Sequence, residues 1–140
     1  MRILIICTGN TCRSQMVEGF LKSLDTKINV FSAGIHPEIE VNPNAVKVME
    51  EINIQIKNQK PKVAEIFSQD NFDFVITVCD YANTHCPIFK GEVKQRMHIA
   101  FDDPAKAKGS DDEILAVYRK TRDAIVEEFS GFYIREIQHE

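Results

Sequence analysis

Residues 2–14 read RILIICTGNTCRS, and the reading of this stretch decides the rest. Ile3 to Cys7 form a continuous apolar run rich in β-branched side chains, closed by Gly9 and Asn10. A run without polar alternation predicts a strand buried on both faces, as in a parallel sheet. The next segment, SQMVEGFLKSL, spaces Met16, Val17, Phe20, Leu21 and Leu24 at a helical period. The octapeptide from Cys7 to Ser14 therefore turns a buried strand into a helix. In parallel sheets ligands bind at the carboxyl ends of strands. A helix N-terminus there offers unpaired N–H groups and a positive dipole end, which suit a tetrahedral oxyanion. The candidate oxyanion-binding residues are Thr8, Gly9, Asn10, Thr11, Cys12, Arg13 and Ser14. Gly9 and Asn10 are expected to curl the loop through left-handed dihedrals, and the planar fork of Arg13 can hold two oxyanion oxygens. A Cys7 thiol among these donors is expected to ionise well below roughly 8.5, with Ser14 donating a hydrogen bond to its thiolate. The plainer alternative makes Cys7 a buried strand end and Arg13 a solvated helix residue.

Outward from this unit the same alternation continues. INVFSAGI (28–35) reads as a second strand, closed by Gly34. NPNAVKVMEEI (42–52) reads as a helix capped by Asn42, with Pro43 at its first position. PKVAEIFSQ (61–69) reads as a short helix, FDFVITVC (72–79) as a third buried strand and KQRMHIAF (94–101) as a fourth, ending at Asp102-Asp103-Pro104. Residues 110–137 form a long amphipathic pattern that Ser110 can cap, with Asp and Glu in the first turn. Strands alternating with helices predict right-handed crossovers. The expected architecture is a three-layer α/β fold, a four-stranded parallel sheet with helices on both faces. No linker, repeat or low-complexity tract interrupts it, so residues 1–140 are read as one domain.

The 140 residues carry a net charge of −4, with 44% hydrophobic and 27% charged residues. That balance disfavours a nucleic-acid partner, which generally requires a basic surface. The apolar run at the N-terminus is too short for a secretory core, and no run reaches membrane-spanning length. A cytoplasmic, monomeric protein is the expectation. Four cysteines in a reducing compartment are expected to be reactive or buried rather than structural staples. Cys79 and Cys86 lie seven residues apart in VCDYANTHCP, wider than the usual two-to-four residue zinc spacing. His36, His85, His98 and His139 are scattered, so no metal site is expected. His85, beside Cys86, could steady its thiolate or simply be exposed.

The octapeptide, together with FSAGI, VNPNAVKVM, VITVCDYANTHCPIF and FDDPAK, resembles the low-molecular-weight protein tyrosine phosphatase fold over nearly the whole chain. More closely, it resembles the thioredoxin-coupled arsenate reductases of that fold. The resemblance implies Cys7 as nucleophile and Asp103 as the proton-handling carboxyl, although Asp-Pro alone is equally a turn starter. It implies Asn10 and Ser32 bracing the loop from behind, and Glu18 in a site that holds potassium in some members. The carboxylate that would complete such a site is replaced here by Lys62, whose ammonium is expected beside Glu18 in the ion's place, or else free in solvent. Phosphatases of this fold have an aromatic residue just after the Asp-Pro pair, where this chain has Ala105.

The function implied is reduction of arsenate to arsenite by Cys7, Cys79 and Cys86 in series. No bound cofactor is implied, and thioredoxin supplies the electrons. Phosphoester hydrolysis through a Cys7 phosphoryl intermediate is the alternative within the fold, and a noncatalytic oxyanion or redox sensor is a third reading. DYANTHC is expected to form a short helix that must unwind before Cys86 can reach Cys79. Cys12 has no step in this scheme.

Overall fold

In a computed structural model that describes residues 1–138, four parallel strands, β1 (Arg2–Cys7), β2 (Asn29–Gly34), β3 (Phe72–Thr77) and β4 (Val93–His98), form one sheet in the order β2-β1-β3-β4. His139 lies outside the described residues. The expected four-stranded parallel α/β sheet is therefore present. Ile3, Leu4, Ile5 and Ile6 are all fully buried. This is why β1 lacks alternation: it occupies the sheet centre, between β2 and β3, with layers above and below.

Helix α1 (Arg13–Leu24) carries the chain from β1 to β2 and packs against α4 (Asp111–Tyr133). Helix α3 (Asp80–His85) leads from β3 towards β4, moving across the sheet in the opposite direction. Right-handed crossovers in opposite directions place α1 and α3 on opposite faces. Phe74, Phe129 and Phe132 pin α4, with the Phe74 and Phe132 ring centroids 5.1 Å apart. The chain reversal at β1 and β3 leaves the carboxyl ends of these adjacent strands side by side, bringing Cys7 next to Cys79.

Helix α2 (Pro43–Glu50) begins as expected: Asn42 Oδ1 accepts hydrogen bonds from the N–H groups of Asn44 (2.8 Å) and Ala45 (3.3 Å). Ser110 and Glu113 form a reciprocal capping box at the start of α4. One expected helix is shorter than its pattern, and another changes its winding. Within 61–69 only Ala64–Phe67 winds, as a 3-10 turn, because Val63 is drawn out into a parallel bridge with Gly34. The long helix keeps α-geometry to Tyr133 and then widens to π-geometry over Ile134–Gln138. No helix of the described residues is long and apolar enough to cross a membrane.

Candidate active site

The loop from Cys7 to Cys12 is shaped by where its carbonyl groups go. The N–H groups of Ile35, His36, Glu38 and Asn42 donate to the carbonyl oxygens of Cys7, Thr8, Gly9 and Thr11 at 2.8–3.1 Å. Gln15 Nε2 donates to the Asn10 carbonyl (2.9 Å) and the Met16 N–H to that of Cys12 (2.9 Å). With every carbonyl from Cys7 to Cys12 engaged outward, planar peptides turn their N–H groups towards the loop interior. That leaves a concave ring of donors at the start of α1. Gly34 permits the close approach: a Cβ there would lie 2.7 Å from the Thr8 carbonyl oxygen.

Only Asn10 adopts the left-handed conformation expected of both Gly9 and Asn10, with φ 52°. Its fully buried side chain explains how this is held. Asn10 Nδ2 donates to Ser14 Oγ and Ser32 Oγ (both 2.9 Å), and its Oδ1 accepts from the Lys62 N–H (2.8 Å). Ser14 Oγ thus accepts from Asn10, and the Thr8 N–H lowers the Cys7 pKa. Gln15, which the sequence reading passed over, is fully buried and links the loop to Gln59, whose Nε2 donates to Gln15 Oε1 (2.8 Å).

Behind the loop, Ser32 Oγ donates to Glu18 Oε1 (2.6 Å). The ammonium bonded to Glu18 belongs to Lys22, not to Lys62 as expected. Lys62 Nζ donates to the Lys60 carbonyl (2.7 Å); burial lowers its pKa, and Glu18 is near enough to raise it. Lys22 sits one helical turn beyond Glu18, a pairing readable from the i,i+4 spacing.

Arg13 leans across the loop. Its Nη1 donates to the Phe101 carbonyl (3.0 Å) and its Nη2 lies 3.8 Å from Asp103 Oδ2. Its Nε is buried without a hydrogen-bond partner among the described residues. A buried guanidinium N–H without an acceptor is costly unless an acceptor arrives, and an oxyanion in the loop would supply one. Asp103 Oδ1 accepts from the Ala105 N–H (3.0 Å), so the carboxyl both starts a 3-10 turn (Pro104–Lys106) and faces Arg13. Clefts of about 350 Å³ and 480 Å³ flank the loop. The first is lined by Cys7, Arg13, His36 and Asp103, and the second by Thr8, Arg13, Cys79, Tyr81 and Asp103.

Cys7 and Cys79 are both nearly buried at the ends of adjacent strands, and each thiol shifts the ionisation of the other. Such a pair shares one easily lost proton. The expected low value falls on Cys79, brought down to about 5 first by the hydrogen bond from Cys7 and then by the Thr8 hydroxyl, 3.2 Å away, the Ala82 N–H and Arg13. Cys7 is correspondingly pushed up by the same bond and by burial, against the pull of Arg13 and the Thr8 N–H. The cause is simple: the donors surround a dithiol, and one negative charge, shared between its two sulfurs, is all it can carry cheaply.

Cys12 is pushed up to about 12, chiefly by burial, and its sulfur contacts Met16 Sδ at 3.8 Å. Cys86 is raised by burial, with Arg96 pulling the other way. His85 does not serve it; that ring stacks on Tyr81 at 3.9 Å. At pH 6, iodoacetamide should therefore label the Cys7–Cys79 pair well before Cys12 or Cys86. The labelling rate should fall as pH drops below about 5, where the pair gains its second proton, and sulfate should slow it. Mass mapping checks this, and equal labelling of all four thiols would contradict it.

Among the described residues no cluster of three or more His, Cys, Asp or Glu side chains could hold a metal ion. The family model for low molecular weight phosphotyrosine protein phosphatase matches residues 2–140. An arsenate reductase from Halalkalibacterium halodurans is 45% identical over 131 residues, covering 93% of each chain. A solved arsenate reductase in the reduced state is 31% identical with a TM-score of 0.76, covering 96% of this chain and 97% of that one. A low molecular weight protein tyrosine phosphatase from Bacillus subtilis shares the fold, with a TM-score of 0.75 at 23% identity over 99% of this chain and 100% of the other. A strand-to-helix loop built around Cys7 and Arg13, in a chain matched from residue 2 to its end, thus belongs to the low molecular weight phosphotyrosine protein phosphatase family.

Proposed function

We propose that this protein reduces arsenate to arsenite in the cytoplasm, acting as a monomer and regenerated by thioredoxin. The observation that carries the reading is the Cys79 thiol seated against Cys7 at the oxyanion loop. Phosphoester hydrolysis has no use for a second thiol there, whereas a two-electron reduction requires one. The 45% identical relative, itself an arsenate reductase, supports the same substrate.

The loop N–H groups and Arg13 bind the tetrahedral anion, drawing the shared negative charge towards Cys7. The Cys7 thiolate attacks arsenic; an S–As bond forms, and one arsenate oxygen leaves as water with Asp103 handling the proton. The Cys79 thiolate then attacks Cys7 Sγ. A disulfide forms, the S–As bond breaks, and its electron pair stays with arsenic, which departs as arsenite. Cys86, as thiolate, attacks Cys79 Sγ and releases the Cys7 thiolate, so the disulfide moves without further oxidation. Thioredoxin, a dithiol, takes up the Cys79–Cys86 disulfide and is itself oxidised by two electrons.

The third step needs a change of shape. Cys79 and Cys86 cap the two ends of α3, and seven residues of helix rise about 10.5 Å. A disulfide needs Cα atoms roughly 4.4–6.8 Å apart. Only Ala82 of α3 is buried, so little apolar area opposes unwinding.

The test is to mix the protein with arsenate, thioredoxin, thioredoxin reductase and NADPH and to follow NADPH loss, with aryl phosphate hydrolysis measured in parallel. Arsenate-dependent NADPH loss is expected. Fast hydrolysis without it would establish the phosphatase reading instead.

A further inference from the structure

Helix α3 has six residues and one buried side chain. A helix this short does not persist on propensity alone, so its contacts to neighbouring elements hold it. Asp80 Oδ1 lies 3.0 Å from His98 Nε2 on β4, and Thr77 Oγ1 lies 2.7 Å from the other nitrogen of that ring. These contacts lead back into the sheet. A second contact, from the next residue, leads to the anion loop. Tyr81 Oη and His36 Nε2 are 3.0 Å apart. The His36 backbone N–H in turn donates to the Thr8 carbonyl (2.9 Å), and Thr8 Oγ1 meets Cys79 Sγ at 3.2 Å. The Tyr81 ring is kept in place by His85, stacked 3.9 Å away with planes 11° apart. That stack joins the two ends of α3 and is lost if the helix unwinds.

We infer that Tyr81 and His36 form a latch that ties the redox helix to the oxyanion loop, holding Cys79 against Cys7 and keeping Cys86 away from Cys79 until the latch opens. Both are positioning residues: neither touches the reacting sulfur atoms. The inference rests on the proposed cysteine relay for its meaning. Its consequence is a guard against closure of the Cys79–Cys86 pair without substrate. With the latch closed, a mild oxidant cannot readily join Cys79 to Cys86, because the helix keeps the two sulfurs apart. With the latch open, the segment unwinds more often and the pair closes without arsenate. The contact is exposed, so its effect is modest, about threefold in the opening equilibrium.

The test uses the full chain, reduced and free of arsenate. Tyr81→Phe removes only the hydroxyl and keeps the ring stacked on His85; His36→Phe removes the partner; His36→Gln restores a polar partner on the same segment. Amide exchange of residues 81–86 is measured for each. So is the rate at which diamide, which takes up two electrons and two protons, forms the Cys79–Cys86 disulfide, mapped by mass spectrometry. Tyr81→Phe and His36→Phe should raise both rates about threefold with exchange in β1 and β3 unchanged, and His36→Gln should return them towards the parent values. Parent-like rates in both Phe variants would overturn the latch. Because neither readout contains arsenate, failure of the relay would show separately, as absence of any arsenate-dependent disulfide in the parent protein.

Discussion

Cys7→Ser should leave no arsenate-dependent NADPH oxidation above background, a loss on the order of a thousandfold or more. The reason lies in both chemistry and placement. A serine hydroxyl ionises far above the range of a thiol, so it cannot supply the attacking anion, and it cannot later accept Cys79 to form a disulfide. The substitution is close to isosteric, and the loop carbonyls that shape the site are bonded through backbone N–H groups and Gln15. The thermal midpoint should therefore stay near that of the parent. The variant has a second signature. Cys79 is held near 5 chiefly by its hydrogen bond with Cys7. Serine can still donate to that thiolate, so fast alkylation of Cys79 at pH 6 should survive while turnover does not. Residual arsenate reduction would remove Cys7 from the role of nucleophile.

Cys86→Ser and Cys79→Ser should stop the reaction at different places. In Cys86→Ser the first two steps remain possible, so one equivalent of arsenite should appear and the protein should collect as a Cys7–Cys79 disulfide. Steady-state turnover with thioredoxin should fall by a factor on the order of a hundred or more, because the oxidised pair lies between buried residues instead of at the surface. In Cys79→Ser nothing can attack the Cys7 adduct from within, and less than one equivalent of arsenite should form. Rapid quench followed by disulfide mapping distinguishes the two. Many turnovers of Cys86→Ser with thioredoxin would end the relay, as would a full first equivalent of arsenite from Cys79→Ser.

The residues whose roles were visible in the sequence are those governed by near neighbours. Ile3 to Cys7 had to be a covered strand because an unbroken apolar run has no face to give to water. Asn42, Pro43, Ser110 and Glu113 marked helix starts because capping is a matter of three or four residues. Lys22 was equally available, one turn from Glu18, and was displaced in the reading by the more distant Lys62. The 61–69 segment misled for the opposite reason: its residues favour a helix, but a bridge to Gly34, nearly thirty residues earlier, drew Val63 into the sheet.

By itself, then, the amino-acid sequence determined a parallel α/β sheet and a Cys7–Arg13 loop at the end of its first strand. Those follow from local periodicity and from the short span between nucleophile and guanidinium. Only the tertiary structure decided how the pieces act on one another. It put Cys79 beside Cys7 through the adjacency of β1 and β3, so that two sulfurs instead of one share the negative charge that the loop donors favour. It gave Glu18 to Lys22, left Arg13 Nε buried without an acceptor among the described residues, and brought Tyr81 Oη within 3.0 Å of His36 Nε2. Each of these depends on distance through space between residues far apart in the chain, or on burial that removes water from competition, and neither quantity is written in the spacing of residues along the sequence.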